Sequence, residues 1–166
     1  MKKILTLCMA VVMAAAVSAR TYQHSVGMVA GLGIGAQYKT MVMENFTILA
    51  EFGYFTCPSN VSYAGAIAHG VFAYQANILE SDGIRLDYYA GGQVKSGYGN
   101  GGYGVIGVGA AGGIEANMHN APIAFSFDFR PGYGCVLIPG TMLGGSGLYA
   151  GHMFDYSFNL GVRYTF

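Results

Sequence analysis

Tryptophan is missing from this chain, charge is scarce, and histidine and cysteine are few. Each lack excludes something. Charged residues make up 10% of the 166, and eight basic side chains balance eight acidic ones, which removes the electrostatic basis for a nucleic-acid or acidic-substrate partner. The four histidines, His24, His69, His119 and His152, are scattered with no metal-ligand spacing, so neither a metal nor a cofactor is expected. The uncharged stretch from Cys135 to Phe154 carries Pro139 and five glycines, which would break a helix before it spanned a membrane.

What is present is apolar, aromatic and glycine-rich: 53% hydrophobic residues, 27 glycines and 13 tyrosines. The chain opens with Lys2 and Lys3, an apolar run from Ile4 to Val17, and small residues at Val17-Ser18-Ala19. This three-part pattern predicts a secretory signal peptide over 1–19, cleaved after Ala19. Residues 20–166 then form one domain. An apolar exported chain without spanning helices has one other way across a bilayer, a closed β-barrel in which every backbone polar group is paired.

Alternation with a period of two recurs along that domain. At the C-terminus Phe154, Tyr156, Phe158, Leu160, Val162, Tyr164 and Phe166 share one face, opposite Asp155, Ser157, Asn159, Gly161, Arg163 and Thr165. Ile123, Phe125, Phe127 and Phe129 alternate with Ala124, Ser126, Asp128 and Arg130. Further strands follow from Ile106 to Asn117, Ile84 to Lys95 and Phe46 to Tyr54. The run Tyr63–Tyr74 is apolar on both faces, and its alternation defines no register. The run Ser25–Met43 is about twice the 9–11 residues of a membrane strand, so a hairpin is placed at Gly31–Gly35, which gives an even strand count. The predicted fold is all-β: an eight-stranded antiparallel transmembrane barrel, an up-and-down meander. Its other outward loops are expected at Thr56–Ser62, Ser96–Gly104 and Tyr133–His152.

Charge decides which way the barrel faces. Lys39, Glu51, Arg85, Asp87, Lys95, Glu115, Asp128, Arg130, Asp155 and Arg163 all fall on the polar registers, five of each sign, and the opposite registers hold none. A soluble barrel would turn its apolar face inward. Here the aromatic register is expected to face lipid and the ten charges to fill the lumen as ion pairs, since a single buried charge would cost several kcal/mol. Gly107, Gly109 and Gly113, on the inward register, would make room for larger side chains opposite. The final strand would close the ring against the first, leaving no free edge.

Three pieces of the chain, AQYKT, APIAFSFDFRPGYG and the closing FNLGVRYTF, resemble the small OmpX/OmpA-like outer-membrane β-barrel proteins of the Bacteroidota. The resemblance implies eight strands and outer-membrane location, and little about activity. The alternate positions Phe158, Leu160, Val162, Tyr164 and Phe166 look like the C-terminal signal read by the outer-membrane barrel assembly machinery.

Some motifs invite other chemistry. Two GxGxxG matches begin at Gly102 and Gly107, but a dinucleotide site needs a strand before and a helix after. His152, Asp155 and Ser157 suggest a hydrolase, yet a strand would point Asp155 and Ser157 inward with His152 in the loop above. Cys57 and Cys135, exported as an even pair, raise a disulfide. Against it, their strands lie across the barrel mouth from each other, whereas the Cα atoms must come within about 7 Å. The uncharged segment before the last strand is either a surface-contact loop or a flap over the mouth. The expectation is thus a monomeric outer-membrane protein with a filled lumen, structural or surface-interacting rather than enzymatic. It would contact outer-membrane lipid and lipopolysaccharide, the assembly machinery and a surface ligand that the sequence does not name. A narrow porin-like channel is the alternative, and a lipid-acting enzyme the third reading.

Overall fold

The computed structural model describes residues 22–57, 60–143 and 146–166. Eight strands follow in chain order: β1 (His24–Ala30), β2 (Gly33–Met43), β3 (Phe46–Cys57), β4 (Asn60–Ser81), β5 (Ile84–Gly99), β6 (Gly104–Met118), β7 (Ile123–Pro139) and β8 (Leu148–Thr165). Every neighbouring pair is antiparallel, and β1 pairs with β8, so the meander closes into a barrel. A single 3-10 turn, Gly140–Leu143, follows β7. Among the described residues no helix is long and apolar enough to cross a membrane.

The strand tilt follows from the register. Partners traced round the ring run Ser25, Lys39, Leu49, Val71, Gln93, Gly109, Gly132 and Asp155. Yet Ser25 itself pairs with Thr165 on β8, ten residues beyond Asp155. With a rise of about 3.3 Å per residue and strands about 4.8 Å apart, this stagger requires a tilt of roughly 40°. Eight strands at that tilt enclose just enough room for side chains.

Both faces keep their registers. Inside, Lys39, Glu51, Arg85, Asp87, Lys95, Glu115, Asp128, Arg130 and Arg163 are buried, with polar Gln37, Gln75, Asn117 and Asn159 among them. Outside, Phe52, Val94, Val108, Phe127, Phe158 and Leu160 are exposed, as are many others of their kind. Tyrosines mark two levels of this outer face. Tyr38 and Tyr164 lie toward the end where β1 begins and β8 finishes, and Tyr54, Tyr98, Tyr133 and Tyr156 toward the far end. From Tyr156 to Tyr164 along tilted β8 the levels are roughly 20 Å apart.

Several expected boundaries shift. The first hairpin turns at Gly31 and Leu32, within the expected segment. β5 continues to Gly99, so the loop placed at Ser96–Gly104 shortens to 100–103. The segment placed as a Tyr133–His152 loop is mostly strand, because β7 and β8 stay paired out to Pro139 and Leu148. Hydrogen-bonded pairing satisfies the backbone of this glycine-rich stretch better than an open loop would. The long flap is therefore replaced by a protruding hairpin. β4 also acquires a register: Ile67, His69, Val71 and Ala73 lie on the inward side of the ladder, while Ala68, Phe72 and Tyr74 lie on the outward side.

Candidate functional site

The barrel interior is where chemistry-bearing side chains converge, and the ten expected lumen charges form four groups there. Glu115, on β6, accepts hydrogen bonds from Lys39 Nζ on β2 at 2.7 Å, from Arg163 on β8 and from Tyr22, which precedes β1. Arg130, on β7, donates through Nη1 and Nη2 to both oxygens of Glu51 on β3, at 2.5 and 2.8 Å. Its Nη2 also donates to Asp128 at 2.9 Å. Arg85 Nε donates to Asp87 at 2.8 Å, and Lys95 pairs with Asp155. Two groups carry a surplus charge of opposite sign, and the other two are neutral. The interior therefore balances.

Neutral polar residues join these groups. Gln75 Nε2 donates to Asp87 at 3.0 Å and reaches Glu115 at 3.4 Å, linking two clusters. Asp128 accepts from the Tyr89 hydroxyl at 2.7 Å and from Asn159 at 2.9 Å. Arg163 reaches Gln37 and Ser126 at 3.1 and 3.2 Å. Sequence reasoning left these partners out of the network, although all lie on the same inward registers. A buried carboxylate with two oxygens accepts several donors, and a bidentate guanidinium fixes geometry as well as charge.

The inward glycines act by being small. A Cβ at Gly107 would strike the Lys95 side chain, and one at Gly113 would strike Asp128. Toward the far end the interior changes character. Tyr103, Val105, Val136 and Met153 form a buried apolar cluster with Ile138 against it.

The motifs that invited other readings come apart. Gly102 lies in the β5–β6 turn with φ 78°, while Gly104, Gly107, Gly109 and Gly112 lie in β6, with no helix after them. His152 is not in a loop but within β8, on the outer face, where it stacks on Tyr133 at 5.8 Å. Asp155 and Ser157 lie on the inward register of the same strand, so the three do not converge. Cys135 is a free thiol on the outer face, its Sγ 3.8 Å from His152 Nδ1. That corrects the disulfide on its Cys135 side: the odd register of β7 turns this thiol away from the mouth. The Cys57 side chain lies outside the described residues. Among those residues, no group of three His, Cys, Asp or Glu is placed to hold a metal ion. The C-terminal residues Phe158, Leu160, Val162, Tyr164 and Phe166 all lie on the outer face.

Comparison with protein-family profiles, with curated proteins and with solved structures finds no match. The fold and the interior network thus define a closed eight-stranded antiparallel barrel with a charged, side-chain-filled core, and the functional reading rests on that geometry.

Proposed function

We propose that the chain is an integral outer-membrane β-barrel with a plugged lumen, whose work is structural or carried out at the cell surface rather than by catalysis or transport. The observation that carries this reading is the inverted polarity of the wall: strand charges inside, a continuous apolar and aromatic face outside. In water that exterior would be a large association liability. In a bilayer it is the required surface, an apolar band about 25 Å tall flanked by aromatic girdles. The two tyrosine levels, roughly 20 Å apart, suit that band.

On this reading residues 1–19 are the export signal, and the ending Phe158–Phe166 is what the assembly machinery engages. Outer-membrane lipid and lipopolysaccharide surround the barrel, and the hairpin around Leu148 and Tyr149 meets the outside. The likeness to small OmpX/OmpA-like barrels supports the same location. The paired charges and the apolar cluster toward the far end weigh against the channel alternative, because side chains that bind one another fill an interior of this size. The test is single-channel conductance of the refolded chain 20–166 in a planar bilayer, with folding checked by a heat-dependent gel shift. Silence is expected. Stable current steps would overturn the plugged lumen and make Lys39, Arg85 and Arg130 pore-lining residues. Failure to enter a bilayer at all would overturn the membrane assignment.

A further inference from the structure

Cys135 on β7 and His152 on β8 are directly opposed in the ladder, and both side chains lie on the outer face. Opposed residues on one face of an antiparallel pair hold their Cβ atoms about 4.5–5.5 Å apart, so their side chains meet. Here the Cys135 Sγ comes within 3.8 Å of the His152 Nδ1. The ring of Tyr133, two residues earlier on β7, stacks on the imidazole at an interplanar angle of 17° and fixes its direction. One sulfur and one ring nitrogen are thus presented side by side at an accessible surface.

Their separation suits an ion. Zinc, whose bond lengths represent first-row ions, sits about 2.3 Å from thiolate sulfur and about 2.0 Å from imidazole nitrogen. An ion touching both needs a sulfur–nitrogen distance from roughly 3.5 Å, at a tetrahedral angle, to roughly 4.3 Å, on a straight line. The observed 3.8 Å lies inside that interval, so an ion enters without movement of the strands.

Ligand count and charge decide which ion. The outer-face neighbours are Ile106, Leu137, Ala150 and Phe154, none of which carries a charge or a ligating side chain. Among the described residues no further His, Cys, Asp or Glu completes a group of three. Zinc takes four ligands in a closed site, and beside a single thiolate it would keep a positive charge. Neither condition suits this patch. A soft monovalent ion is content with two ligands, and one thiolate cancels its charge. Thiolate and imidazole are the donors that suit copper, whereas hard cations take oxygen.

We infer that Cys135 and His152 form a two-coordinate copper(I) site on the outer surface of the barrel. Cys135 supplies the anionic ligand, His152 the neutral one, and Tyr133 is a positioning residue for the ring. Binding releases the thiol proton and leaves copper in the +1 state, with Sγ and Nδ1 joined through the ion. The site lies two residues beyond Tyr133, so on the membrane reading it stands at the outward margin of the wall. It does not depend on that reading, because the β7–β8 ladder alone brings the ligands together.

The test uses chain 20–166 carrying Cys57→Ser and refolded in detergent micelles, so that Cys135 is its one thiol. Copper(I) is titrated without oxygen against bicinchoninate, a coloured competitor. One ion per chain is expected. His152→Asn should lower the affinity at least tenfold and Cys135→Ser should abolish binding, while the heat-dependent gel shift stays as before. A second readout needs neither variant to fold. On adding silver(I), a redox-inert stand-in, NMR should show the Nδ1 signal of the imidazole that contacts Tyr133 moving far more than its Nε2 signal. No binding, equal affinity in His152→Asn, or an unmoved Nδ1 would overturn the pair as a site. One ion shared by two chains would overturn two-coordination within one chain. Displacement of copper by an equal concentration of zinc would overturn the monovalent assignment. The two readings fail separately, since a chain that stays out of a bilayer leaves every one of these readouts in force.

Discussion

The two ends of the barrel interior are held by different chemistry and by different geometry. Nearer the end where β1 begins and through the middle, contacts are ionic and cross the lumen: Arg130 on β7 reaches Glu51 on β3, and Lys39 on β2 reaches Glu115 on β6, each from the opposite wall. Toward the far end the apolar cluster draws on Tyr103 and on β6, β7 and β8, which are neighbours already joined by ladders. The ionic part therefore ties distant strands together and specifies which walls face each other. The apolar part joins strands that are already neighbours and adds no tie across the lumen.

That difference predicts an order of effects. Glu115→Gln should be the most damaging change, because it leaves Lys39 and Arg163 buried without their shared anion. The cost expected for breaking a buried ion pair is about 3–5 kcal/mol, read as a lowered urea midpoint of the heat-modifiable form. A loss below about 1 kcal/mol would mean that the cross-lumen ties do not carry the closure. The outer face gives the next effect. Leu160→Arg, near the middle of the apolar band, should destabilise the barrel in lipid by about 2–4 kcal/mol. An unchanged midpoint there would count against a membrane-facing wall. Val136→Ala in the apolar cluster should cost less, about 1–2 kcal/mol, since only a small cavity forms and neighbouring strands remain paired. If it cost more than Glu115→Gln, the comparison between the two ends would be reversed.

Much of this was legible because a strand has a period of two. Alternation alone assigned all ten charges to one face, and the described strands place them inside. Their partners were not legible. Arg130 lies 79 residues from Glu51 in sequence, and only the stagger of the closed ring brings the two together. The register of Tyr63–Tyr74 was hidden for a local reason. Its inward Val71 and Ala73 join Leu49, Tyr89 and Ala111 in an apolar patch of the interior, so both faces of that strand read as apolar. The strand ends were misjudged where glycine is dense: Gly134 and Gly140 read as loop, yet one is ladder and the other begins the turn.

The smallest expected effect separates two ways of closing the far end, by packed side chains or by a covalent staple across the mouth. With Cys135 on the outer face beside His152, the apolar cluster does the closing and the thiol contributes almost nothing to it. Cys135→Ser should then change stability by no more than about 0.5 kcal/mol, the range of a surface substitution. Alkylation of the folded protein without reductant should label Cys135, located by peptide mass. If labelling instead required reductant and a cross-linked peptide joined Cys135 to Cys57, the hairpin would have to bend over the lumen. The loss on Cys135→Ser would then rise toward the roughly 2–5 kcal/mol of a native disulfide. Closure of the far end would then become covalent.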